Sequence, residues 1–149
     1  MRTALVFGFV GVVASLSALA QTPNLRPGRY ETTSEISMPG SPAKMPPRKD
    51  EACITAEDVK DLSRTLAKNS PMQKCTVSNS KVTGTALVFT KECANADGLK
   101  MQYTGDVTFT SDAYHAVVHM RDSSGRATNP MLKGSTITVT AKRIGDCTK

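Results

Sequence analysis

His115 and His119 stand four residues apart, the spacing at which two imidazoles on one face of a helix can share a metal ion. On a strand the same spacing separates them by about 13 Å, too far for one ion. The surrounding alternation, TFTSDAYHAVVHMR, reads as strand and puts both rings on its polar side. Met38 and Met45, with Met72 elsewhere, are soft thioethers that would suit copper(I), but the only cysteine or histidine near the first two is Cys53. Asp112 and His115 flank a turn on the solvent side, and Glu57-Asp58 fits a helix start better than an acid–base pair. Neither G-x-S-x-G, H-E-x-x-H nor a glycine-rich phosphate loop occurs in the chain. The residues therefore point away from an enzyme, and to no metal or other cofactor.

The cysteines point to different chemistry. Cys53, Cys75, Cys93 and Cys147 form no C-x-x-C, so a thioredoxin-like redox pair is absent. An even count in an exported chain reads as a disulfide framework, with three connectivities open. Export follows from the start, MRTALVFGFVGVVASLSALA. A basic residue, an apolar run and an A-x-A triplet (Ala18-Leu19-Ala20) make a signal peptide over residues 1–20, too short and too rich in small residues for a comfortable span. No transmembrane segment is expected after cleavage, and residues 21–149 should form one disulfide-stapled β-rich domain, a monomer in the bacterial periplasm or secreted. The chain has 19 Lys and Arg against 13 Asp and Glu. These basic residues are scattered, and without Trp or clustered aromatics they do not make a nucleic-acid surface.

Several elements must hold these residues in place. From Arg29 to Met38 the even positions lean apolar, a half-buried strand ended by Pro39-Gly40. Residues 53–71 read as the only helix, with Thr55 as cap, Asp58 at the third position, and Val59, Leu62 and Leu66 as its apolar stripe; Asn69 and Pro71 end it. Strands 75–82 and 86–93 flank Thr83-Gly84-Thr85, and a turn centred on Gly84 sets Cys75 opposite Cys93. Cys53–Cys147 is then the remaining pair. A two-residue turn at Ser111-Asp112 pairs Phe109 with Tyr114, Val107 with Ala116 and Tyr103 with Met120, each on the apolar half of its strand. Residues 121–134 read as a loop and 135–144 as the last strand, with Ile137, Val139 and Ala141 inward. The fold class is mainly β (α+β): an antiparallel meander of about six strands with one helix between the first and second. Such a sheet is free to curl into a partial or closed barrel.

"LRPGRYE", "CITAED", "TFTSDAY" and "AKRIGDC" occur in that order, and the set resembles an exported bacterial family catalogued as domain of unknown function three-six-one-seven. The likeness spans nearly all of the chain after the signal, including the four cysteines. It departs at Arg29-Tyr30, where the family usually has an aliphatic residue and Trp, and at Ser111, where Gly is common. It implies location and fold and carries over no catalytic residue.

Two binding roles follow as expectations. One is a non-catalytic envelope protein that holds another macromolecule through loops 39–52 and 122–133. The other is a carrier of a small apolar, lipid-like ligand lined by Tyr30, Phe89, Tyr103, Phe109 and Tyr114, residues that would otherwise be plain core. An enzyme of unknown class comes third.

Overall fold

The structure, a computed structural model, describes residues 22–41, 45–62, 65 and 74–147. The expected signal peptide and its cleavage point lie outside these residues, as do Leu66, Asn69, Pro71 and Met72.

Seven antiparallel strands form one open sheet: β1 (Gly28–Ser37), β2 (Arg48–Ile54), β3 (Lys74–Val82), β4 (Ala86–Ala94), β5 (Lys100–Phe109), β6 (Ala113–Asp122) and β7 (Ser135–Gly145). Their spatial order is β2-β1-β7-β6-β5-β4-β3, so β3 to β7 make a plain meander and the β1–β2 hairpin adds to its far side through β1. The two ends, β2 and β3, are not paired with each other, and the sheet does not close as a hydrogen-bonded barrel.

Two strands show why the alternation was sufficient. On β5, Met101, Tyr103, Gly105, Val107 and Phe109 are buried while every residue between them is partly or fully exposed. The β5–β6 register is the expected one: Phe109 with Tyr114, Val107 with Ala116, Tyr103 with Met120. A slip of one residue would bring the polar half of each strand onto the core, so burial itself fixes the register.

The seventh strand corrects the expected count of six. Residues 48–54 were expected to be loop and helix start, yet they pair along β1 from Gly28↔Ile54 to Ser34↔Arg48. The sequence RKDEACI lacks an apolar period because β2 is an edge strand, exposed along nearly all its length. Backbone pairing holds it, helped by Thr32 Oγ1 donating to the Asp50 carbonyl (3.0 Å) and by the Arg29–Glu51 and Arg48–Asp50 ion pairs.

The helix is corrected with it. Cys53 and Ile54 belong to β2, and α1 runs Ala56–Lys60, between β2 and β3 rather than after the first strand. Its start is as expected: Thr55 Oγ1 accepts from the Asp58 amide, and the Asp58 carboxylate accepts from the Thr55 amide, a reciprocal capping box. A further short helix among the described residues, α2 (Pro130–Lys133), interrupts the expected loop 121–134. Asn129 caps it by accepting from the Met131 amide, and proline in the first turn gives up no needed donor.

The β3–β4 turn is also corrected. Val82 pairs with Leu87 and Ser80 with Phe89, one residue off a turn centred on Gly84. A bulge between Val77 and Asn79 restores the register, and Cys75 faces Cys93 after all. Both disulfides, Cys75–Cys93 and Cys53–Cys147, are formed. Among the described residues no helix is long and apolar enough to cross a membrane, which says nothing of strands.

Candidate functional site

The paired registers arrange the inward face in ranks that run straight across the sheet. Phe109, Tyr114, Ala141 and Thr32 form one rank. Leu87, Val107, Ala116 and Val139 form the next, followed by Phe89, Gly105, Val118 and Ile137. Beyond these lie Lys91, Tyr103, Met120 and Ser135.

A cavity of about 370 Å³ lies against the first three ranks. Its sheet side is formed by Leu87, Phe89, Val107, Phe109, Ala116 and Val118, among others. The opposite side comes from the end of β2 and from α1: Ala52, Cys53, Ile54, Asp58, Leu62 and Thr65. Leu25 enters from the segment before β1. That segment crosses one end of the sheet, where the Asn24 amide donates to the Gly84 carbonyl (2.6 Å) and the Arg26 amide to the Ser111 carbonyl (2.9 Å). It therefore bridges the β3–β4 and β5–β6 turns and seats Leu25 between them, 6% exposed. The Arg26–Asp112 ion pair fixes its outer side, and the Asp112 carboxyl is held below its ordinary range chiefly by the hydrogen bond from Arg26.

Cys53–Cys147 positions the opposite wall. It ties the end of the edge strand β2 to the residues just after β7, holding the Ala52–Ile54 segment close to the main sheet. Without that tie, β2 would depend on backbone bonds to β1 along one side only.

Of the five aromatics expected to line a ligand site, Phe89, Phe109 and Tyr114 lie on the cavity. Tyr30 and Tyr103 do not. Tyr30 is fully buried and donates its hydroxyl to the Arg26 carbonyl (2.6 Å), with its ring 6.0 Å from that of Tyr114. It therefore holds the N-terminal segment in place. Tyr103 lies one rank beyond the cavity, under the Lys91 ammonium at 5.2 Å from the ring centre. Burial raises the phenol pKa of Tyr30, Tyr103 and Tyr114, so all three are neutral near pH 7.

Lys91 was not anticipated. It is 8% exposed, and its burial lowers the ammonium pKa. The signal was present in the alternation Leu87, Phe89, Lys91, Cys93, which places a lysine where an apolar residue belongs.

His115 and His119 are exposed on the outer face, and His119 Nδ1 lies 3.0 Å from Thr136 Oγ1. Among the described residues no three His, Cys, Asp or Glu side chains are placed to hold one ion. The chemistry of the cavity is apolar contact, with Asp58 and Thr65 at one side. Asp58 is engaged there: Oδ2 accepts from the Thr55 amide and hydroxyl, and Oδ1 from the Thr65 hydroxyl.

Residues 25–147 match a family model whose description is a protein of unknown function. No curated protein and no solved structure matches the chain.

Proposed function

The chain belongs to this family, DUF3617, and since the family supplies no activity, we propose from the geometry that it is an exported, non-catalytic protein that carries a small apolar ligand. The observation that carries this reading is the cavity of about 370 Å³ between the inward ranks of the sheet and the β2–α1 wall. That volume falls within the range of about 300–1,000 Å³ typical of small-molecule sites. Such space left empty in a core costs stability, whereas a ligand that binds only the folded state adds it. The apolar start of the chain and the two disulfides support an exported location, in the periplasm or beyond it.

The cavity favours this role over an interaction surface built on loops 39–52 and 122–133. Part of the first of these is strand β2, and part of the second is α2.

Native mass spectrometry of protein purified from its own envelope tests the proposal. A bound small molecule released on denaturation is expected, and an added apolar ligand at a hundredfold excess over its Kd should stabilise the fold by about 2.7 kcal/mol. Ala116→Phe, which puts a ring into the cavity from a 6% exposed position, should abolish both effects. A protein that carries nothing, and whose melting temperature ignores added fatty acids and phospholipids, would overturn the reading.

A further inference from the structure

The cavity lining is uneven in its chemistry. Among the described residues it includes no Lys, Arg or His, and its one charged side chain is Asp58. The Asp58 carboxylate already accepts from the Thr55 amide and hydroxyl and from the Thr65 hydroxyl. Two lining side chains carry hydroxyls, Thr65 and Tyr114. Thr65 directs its own to Asp58 and the Asp61 carbonyl. Tyr114 stands in the first rank between Phe109 and Ala141, its ring against that of Tyr30. Among the described residues its hydroxyl has no hydrogen-bond partner, whereas Tyr30 donates to the Arg26 carbonyl.

Building on the cavity reading, we propose that the ligand is an uncharged molecule with an acceptor oxygen, such as a ketone or an ester, and that this oxygen takes the hydrogen bond of the Tyr114 phenol. Burial raises the pKa of that phenol, which marks its oxygen as withdrawn from bulk water and keeps its proton in place as a donor. A buried donor without an acceptor costs free energy, and a ligand oxygen recovers it. A carboxylate head group would find no cation among these lining residues and would meet the Asp58 charge instead, so ionised ligands are disfavoured. At about 30 Å³ per non-hydrogen atom, close to the share of one water in the liquid, the cavity takes roughly a dozen such atoms.

Benzylacetone, hydrocinnamate and isopentylbenzene are of that size and nearly one shape, and end in a ketone, a carboxylate and a branched alkyl group. Isothermal titration of the purified protein at neutral pH should show the ketone binding about tenfold or more tighter than the carboxylate. Tyr114→Phe should weaken the ketone about two- to tenfold, the worth of one hydrogen bond, and leave the hydrocarbon unchanged. The variant loses only an oxygen, and without ligand it should melt no lower than the native protein.

Three results would each overturn the ligand-class inference and leave the cavity reading standing. One is a carboxylate that binds as tightly as the ketone. Another is a ketone-to-hydrocarbon ratio that Tyr114→Phe does not change. The third is a ligand-free variant that melts lower, since its hydroxyl would then already be satisfied. If none of the three compounds binds, both readings fall.

Discussion

Gly105 offers the sharpest test of the packing on which the cavity depends. It sits mid-strand in β5, opposite Phe89 of β4, and its backbone is ordinary extended strand rather than left-handed. Glycine is therefore needed there for room. A Cβ would lie 2.3 Å from Phe89 Cε1 and 2.5 Å from Cζ, and the ring is only 2% exposed. Gly105→Ala must displace the ring from its place on the cavity wall. Overpacking of this kind costs about 1–3 kcal/mol, against about 0.5–1 kcal/mol gained by removing a glycine from a strand interior. The net expectation is a loss of up to about 2.5 kcal/mol. With Phe89→Leu the ring edge is gone, and Gly105→Ala should become neutral or mildly stabilising. A double-mutant cycle by urea denaturation should then show a coupling of about 1–3 kcal/mol between the two positions. Additive effects, or a stabilising Gly105→Ala with Phe89 in place, would refute the close approach. In the single variant the displaced ring should also weaken the binding of any cavity ligand.

The disulfides should be unequal. Their sequence separations are 94 and 18, so in the chain-entropy model Cys53→Ala/Cys147→Ala costs about 4–5 kcal/mol and Cys75→Ala/Cys93→Ala about 3 kcal/mol. Guanidinium denaturation that reversed this order would count against the entropic account. Asp112 has a folded pKa below its ordinary value of 3.8, so its contribution is complete above that pH and is lost as pH falls through the lower folded value. The gap in melting temperature between the native protein and Asp112→Asn should accordingly be constant near neutrality and shrink only in strong acid; a gap that widens on acidification contradicts this. Removal of the α1 cap by Thr55→Ala should cost about 1 kcal/mol in the same denaturation assay, while Thr55→Ser should cost much less.

The parts legible in sequence were those where one face is buried and the other wet. The β5–β6 hairpin is the clearest, because each of Tyr103, Val107 and Phe109 finds an inward partner in a single register. The capping box of α1 was legible because it is local: Thr55 and Asp58 need only each other. Strand β2 was not, since an edge strand in RKDEACI buries neither face and owes its form to a neighbour some twenty residues away. The bulge in β3 was equally hidden, for nothing in TVSNS marks which residue the ladder will skip. As to the site, parity alone brought out Phe89, Phe109 and Tyr114. Tyr30 and Tyr103 share that parity, and only the third dimension separates a residue beside the cavity from one beside a neighbouring chain segment. Lys91 was passed over because charge was read as surface.

The position of β1 bears on how the protein avoids sticking to itself. β1 and β7 pair Tyr30 with Arg143 and Ile36 with Ile137, contacts that bridge roughly a hundred residues, whereas the β3–β7 meander is built from hairpins that form locally. Before β1 arrives, β7 is the border of that meander. Its residues Ser135–Ala141, STITVTA, are uncharged, β-prone and free of proline, the composition that recruits strands from other molecules. β1 covers this segment and passes the border to β2, whose RKDE charges repel such partners. A chain that loses β1 would expose this uncharged segment of β7 as an unpaired edge, where strands of other molecules can add.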